Sequence, residues 1–136
     1  SMGPYVAKQL VKKLIAAGKN VMDCRILIMG TTFKENVSDI RNSKVADVYN
    51  ELKSYGVHID VVDPHANSKE VMHEYGYPVA DGPSGKYDAV IVAVSHKDYL
   101  NMQESDFEAL MNDKGILADV KGLYRKKIKK LTYWSL

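Results

Sequence analysis

Residues 25–43 read Arg-Ile-Leu-Ile-Met-Gly-Thr-Thr-Phe-Lys-Glu-Asn-Val-Ser-Asp-Ile-Arg-Asn-Ser. The first six form an apolar strand, and a helical pattern starts right after Ser43. Between them lies a loop holding Lys34, Asp39 and Arg41. In an open parallel sheet, ligands bind at a strand's carboxyl end, in the loop before a helix N-terminus. Two cations there can meet phosphate oxygens, Lys as a compact point charge and Arg as a planar two-toothed donor. The competing reading is a solvated loop in which Asp39 and Arg41 pair with each other. Spacing alone does not separate the two.

The pattern around this stretch alternates strands with helices. Tyr5, Val6, Leu10, Val11, Leu14 and Ile15 recur at three- and four-residue spacing and predict a helix with one apolar stripe, stopped at Gly18. After the strand at residues 25–30, Ser43 can cap a helix bearing Val45, Val48, Tyr49 and Leu52, which ends at Gly56. Residues 57–62 read as a second strand closed by Asp63-Pro64. Asn67 or Ser68 caps a short helix that stops at Gly76, and a weak strand is expected near residues 77–80. Asp81-Gly-Pro-Ser-Gly85 is turn chemistry. Residues 87–94, apolar on both faces, read as a central parallel strand covered on each side. A helix around residues 104–111, a strand at 115–119 and an edge strand in the tail at 131–136 complete the series. Such alternation predicts an α/β fold: a three-layer α/β/α sandwich on a mainly parallel, Rossmann-like sheet, preceded by an N-terminal helix.

At 136 residues the chain is expected to form one domain. A formal charge of +2 gives no argument for nucleic acid. The apolar runs are of strand length, far below the roughly twenty residues of a membrane span, and no signal peptide is visible. A single Cys24 cannot form an internal disulfide and fits a reducing compartment. Ser1-Met2 reads as a cloning remnant, and the opening, mid-helix in character, suggests a piece excised from something larger.

The turn after the first strand is no dinucleotide fingerprint. That motif needs glycines where the backbone approaches a pyrophosphate; here Thr31, Thr32 and Phe33 follow Gly30. A phosphate at this loop would therefore be held by Lys34 and Arg41 side chains. Asp63, at the end of a strand, can bind ribose hydroxyls, or, as the better reading, cap local backbone. His96, just after the long strand, can serve as an acid-base group or donor; a structural turn histidine is the better reading. His58, His65, His73 and His96 show no zinc spacing. Cys24, at the edge away from the expected cleft, reads as a small buried hydrophobe. Lys121 follows the last core strand on the same edge as Lys34. Arg125, Lys126, Lys127, Lys129 and Lys130 form a basic run without interleaved aromatics, read as solvated or partner-facing.

Residues 30–44 closely resemble the hallmark segment of the UDP-glucose/GDP-mannose dehydrogenase family's C-terminal domain. Met2-Gly-Pro-Tyr-Val6, Tyr55-Gly-Val57, Val62-Asp-Pro64, Tyr87-Asp-Ala89, Ala93-Val-Ser-His96 and Asp119-Val-Lys-Gly122 support it in order. The Lys-Glu-Asn and Asp-Ile-Arg-Asn-Ser wording resembles the branch that oxidises UDP-N-acetylhexosamines for bacterial surface polysaccharides. The resemblance implies a cytoplasmic enzyme that oxidises a nucleotide sugar, UDP-glucose or a UDP-N-acetylhexosamine, at C6 to the uronate with NAD. It implies an N-terminal NAD domain, a central helical region carrying the catalytic Cys, and a homodimer. Residues 1–22 would then be the end of the central linker helix and residues 23–136 the UDP-sugar-binding domain. The family's Gly-rich Cys motif is nowhere in this sequence, so no catalytic residue is expected here, and none for a metal. Phe33 and Lys34 match the pair that contacts the nucleotide sugar, and Arg41 the arginine that reaches NAD. Lys121 falls where relatives place a basic residue, often Arg, near the substrate; Lys lacks the bidentate geometry. Two rival expectations stand beside this one: a stand-alone nucleotide- or phosphate-binding sensor, and an assembly module that uses the stripe of residues 5–15.

Overall fold

The computed structural model describes residues 2–32, 36–41 and 43–136. Its strands are β1 (Arg25–Met29), β2 (His58–Val62), β3 (Tyr87–Val92), β4 (Met111–Asp119) and β5 (Thr132–Ser135). All pair in parallel, in the order β2-β1-β3-β4-β5. Parallel neighbours need crossovers, and here these supply the covering layers. α1 (Met2–Ala16) and α2 (Val45–Ser54) pack on one face, α4 (Lys97–Leu100) and α5 (Glu104–Glu108) on the other. α3 (Ser68–Tyr75) follows β2. The strand order reverses between β1 and β3, which makes their carboxyl ends the switch point of the sheet. The expected α/β/α sandwich on a parallel sheet is what forms.

Alternation along the strands divides the core. Ile26, Ile28, Ala89, Ile91, Ile116 and Ala118 join Val6, Leu10, Leu14, Val48 and Leu52 in one cluster. Leu27, Met29, Val90, Val92 and Leu117 join Tyr99, Phe107 and Tyr124 in the other. Each fully buried aliphatic or Phe side chain contributes about 1.5–3 kcal/mol. The stripe on α1 is narrower than its sequence spacing suggests. Val6, Ala7, Leu10, Val11 and Leu14 are buried, whereas Tyr5 and Ile15 are 50% and 60% exposed. At about 100° per residue those two fall outside the arc facing α2 and the sheet. A Cβ at Gly3 would sit 2.4 Å from Asp47 Cβ, so that glycine sets the close approach of α1 and α2. The stripe is covered within the chain, which removes the basis of the assembly-module expectation.

Several boundaries move for visible reasons. Ser43 Oγ accepts from Val45 N–H at 3.3 Å, while the cap position of α2 itself falls on Lys44. Asn67 caps α3 by accepting from Glu70 N–H, and Gly76 ends it in the left-handed region at φ 81°. The weak strand near residues 77–80 reduces to a single bridge between Val62 and Ala80. The helix expected to reach residue 111 stops at Glu108, because Leu110 O accepts Tyr87 N–H and draws the chain into the sheet. β4 then bulges between its pairings with Tyr87 and Ala89, with Lys114 at φ 58°.

The tail forms the expected edge strand, β5, but the crossover to it from β4 is not a helix. Side chains take the amide groups a helix would use. Asp119 accepts the N–H of Leu123 and Tyr124, and Glu104 accepts those of Lys129, Lys130 and Leu131. The basic run of residues 125–130 rides on this pinned crossover. Among the described residues no helix is long and apolar enough to cross a membrane.

Candidate functional site at the switch point

The loop after β1 leaves the sheet where β1 and β3 part. Gly30 turns there with φ 99°, and a Cβ on it would meet Val94 Cβ at 2.8 Å, so the two chain ends converge on a contact only glycine allows. Asp63, one residue past β2, reaches across to this turn. Its Oδ2 accepts Thr31 N–H at 2.7 Å and Thr32 N–H at 3.0 Å, and its Oδ1 accepts His65 N–H at 2.8 Å. Burial pushes the Asp63 carboxyl up, but those amides and the His96 ring pull it further down, below its ordinary value. The group is a buried carboxylate spent on backbone, as the capping reading of Asp63 expects, and not an open ribose acceptor.

His96 completes the cluster from the far side of β1. It is fully buried, and its Nδ1 accepts Asn36 N–H at 2.8 Å. A ring nitrogen that accepts carries no hydrogen, so the proton sits on Nε2, which lies 3.0 Å from Thr32 Oγ1 and 3.1 Å from Asp63 Oδ2. Both nitrogens are committed, which removes His96 as an acid-base group and bears out the structural reading. Asn36, at φ 62°, also accepts Lys97 N–H through Oδ1 at 2.8 Å. On the outside, the His65 ring lies 4.5 Å from that of His96 and bonds Asp98 at 2.8 Å.

A second group holds the later part of the loop. Ser43 Oγ donates to Thr31 O at 2.7 Å, Ser43 N–H donates to Tyr75 Oη at 3.0 Å, and Tyr75 Oη donates to Ile40 O. Tyr77 Oη meets Thr31 Oγ1 at 2.6 Å beneath a ring stacked on Tyr49. Burial pushes the Tyr77 phenol up to about 12, so it stays neutral. Thr31, Thr32, Asn36, Tyr75 and Tyr77 were not legible as site residues. Most of their partners lie 31 to 64 residues away, and the available signal was that Asp63 and His96 each end a strand that flanks β1.

Phe33 and Lys34, expected to contact the nucleotide sugar, lie outside the described residues. Arg41 pairs with Asp39, its Nε to Oδ1 and its Nη2 to Oδ2 at 3.1 Å each, with the Arg41 side chain 84% exposed. This is the pairing that spacing alone left open. Arg41 also borders a shallow hollow with Lys69, Glu70, His73 and Glu74 of α3, on the β2 side of the rim. Lys121 is exposed two residues past the carboxyl end of β4, on the other side. Cys24 is buried with its thiol pushed up by desolvation and then by Asp88, and its Sγ donates to Asn20 O. It is the small hydrophobe expected. Among the described residues no three His, Cys, Asp or Glu side chains are grouped to hold a metal.

Comparison with known proteins agrees with this arrangement. Residues 27–126 match the model of the UDP-glucose/GDP-mannose dehydrogenase family, UDP binding domain. The UDP-N-acetyl-D-glucosamine 6-dehydrogenase of Salmonella typhi is 44% identical over 122 residues, 89% of this chain and 29% of that protein. Its Pseudomonas aeruginosa counterpart is 42% identical over 123 residues, 90% of this chain and 29% of that protein. The chain therefore spans under a third of the length of these relatives. Among solved structures, NDP-N-acetyl-D-galactosaminuronic acid dehydrogenase from Methanosarcina mazei superposes with a TM-score of 0.86 at 17% identity, over 98% of this chain and 29% of that one. A match at that identity speaks for the fold alone. With the family's model covering the loop, the switch point and the turn after β4, this chain belongs to the UDP-glucose/GDP-mannose dehydrogenase family, as its UDP binding domain.

Proposed function

We propose that this chain is the part of an NAD-dependent UDP-sugar 6-dehydrogenase that closes over the nucleotide sugar, oxidised at C6 to the uronate for surface polysaccharide synthesis. The observation that carries this is the turn of Gly30, Thr31 and Thr32 at the switch point, immediately before Phe33 and Lys34 in the sequence, with Lys121 following β4 at the carboxyl edge. Lys34 grips the diphosphate as a point charge, Phe33 lies against the nucleotide sugar, and Lys121 adds a second positive charge. Closure over the sugar raises effective concentration and excludes water. The substrate is a UDP-N-acetylhexosamine, a choice supported by the names of the Salmonella and Pseudomonas relatives. All the relatives named are dehydrogenases more than three times as long, which disfavours a stand-alone sensor.

NAD supplies the hydride acceptor when bound. The residues here fit one peripheral contact to it and no cradle: Arg41 is exposed but holds Asp39, and Thr31 and Thr32 stand where a cradle needs glycines. Residues 1–22 then belong to a central linker helix, and the catalytic Cys and NAD domain to the remainder of a cytoplasmic, homodimeric enzyme. Calorimetric titration of the chain with UDP tests the reading. Weak, saturable binding is expected, lowered roughly tenfold to a hundredfold by Lys34→Ala, the worth of one charged hydrogen bond. An unchanged affinity in that variant, or NAD reduction by the isolated chain, overturns it.

A further inference from the structure

We infer that His96 is a positioning residue that sets the width of the loop carrying Phe33 and Lys34, without touching ligand. The inference rests on the reading of that loop as the UDP contact. Thr32 and Asn36 stand immediately before and after residues 33–35, and each is tied to a different nitrogen of the same imidazole: Thr32 Oγ1 to Nε2 at 3.0 Å, Asn36 N–H to Nδ1 at 2.8 Å. The two nitrogens of one flat ring have a fixed separation, so the ring spaces the two ends of the three-residue span. The ring itself cannot drift. Asp63 Oδ2 holds Nε2 at 3.1 Å, and the rings of His65 and Tyr99 lie 4.5 Å and 5.5 Å away. Asp63 also holds the amides of Thr31 and Thr32, and Asn36 is held from α4 through Lys97 N–H. The loop is thus fixed at its two shoulders by one neutral side chain with no exposed surface.

The arrangement works only with the proton on Nε2, because Nδ1 must accept. That requirement separates a positioning role from mere filling of space, and it is read directly in the unmodified protein. Nitrogen-15 spectra of the histidine side chains should show His96 neutral, with Nδ1 unprotonated. A proton on Nδ1 would overturn the inference without any variant. Two substitutions then divide the clasp. In His96→Asn the side-chain oxygen replaces Nδ1 as acceptor, and in His96→Gln the side-chain nitrogen replaces Nε2 as donor. Hydrogen exchange should speed at least about tenfold at Asn36 in His96→Gln while Asn36 stays protected in His96→Asn. Affinity for UDP should fall about tenfold in both, with urea midpoints recording that each is folded. Equal protection of Asn36 in the two variants, or wild-type UDP affinity in both, would overturn the inference. A wild-type chain that does not bind UDP would instead sink the proposed function, while the tautomer and the exchange pattern would still decide whether His96 spaces the loop.

Discussion

The two edges of the sheet solve the same electrostatic problem in opposite ways. At the amino edge, charge meets charge. Arg25 at the start of β1 bonds Asp60 at 3.0 Å and the carbonyls of Ser84 and Lys86 at 2.7 Å, and lies 4.5 Å over the Tyr87 ring. Lys19 pairs with Asp88 at 2.9 Å, and Asp88 also accepts Arg25 N–H. At the carboxyl edge the buried carboxylates face amides and hydroxyls. Asp63 takes the N–H groups of Thr31, Thr32 and His65, and Asp119 those of Leu123 and Tyr124 with the Tyr133 hydroxyl. The difference has a functional consequence. Arg25 and Lys19, bonded to acids of their own edge, have little left for an anion; at the carboxyl edge Arg41 is paired with Asp39 too, but the buried carboxylates are braced by neutral donors and Lys121 is turned to solvent.

Removing the central brace should do the most damage. Asp63→Ala strands three amides and the His96 donor, and should cost about 3–5 kcal/mol in urea unfolding. A loss under 1 kcal/mol would mean that the carboxyl edge is not built on this group. At the amino edge, Asp88→Asn keeps an acceptor for Arg25 N–H and loses the attraction to Lys19, so about 1–2 kcal/mol is expected. If the two losses were equal, the contrast between the edges would fail. Acid sharpens it. Both carboxyls are held below the ordinary value: burial raises each, but amide donors overcome it at Asp63, and Lys19 with Arg25 N–H overcomes it at Asp88. A folded-state value below the unfolded one means stability that is complete above about pH 4 and lost as pH falls through the folded value. The acid limb measured by urea midpoints should flatten in both Asp63→Asn and Asp88→Asn, and an unchanged limb in either would show that its carboxylate is not held by the partners named. The smallest effect on folding should come from Arg41→Ala. The Asp39 pair is open to water, so no change in urea midpoint is expected, and a clear drop would show that the pair holds the loop.

Much of this was legible in the chain itself, where the pattern is local. The apolar runs that became β1 and β3 are buried on both faces, and turn glycines such as Gly18, Gly56 and Gly76 fall where helices stop. The loop of residues 30–43 was marked by its place after β1. What local pattern could not carry was the set of long-range bonds that hold this loop, since Tyr75 or His96 reads as a partner for it only once strand order is known. The bulge in β4 escaped for a related reason: it depends on Tyr87 N–H finding Leu110 O across the sheet. The β4–β5 connection escaped because carboxylates captured amides in a stretch whose lysines and aliphatic residues suit a helix.

That connection has a bearing on how the sequence can change. It is moored at two points, Asp119 near one end and Glu104 near the other, and the residues between are largely solvated. A path fixed by its moorings is indifferent to the cargo it carries. The lysine content of residues 125–130 can therefore be retuned for charge or solubility, provided the two acids stay.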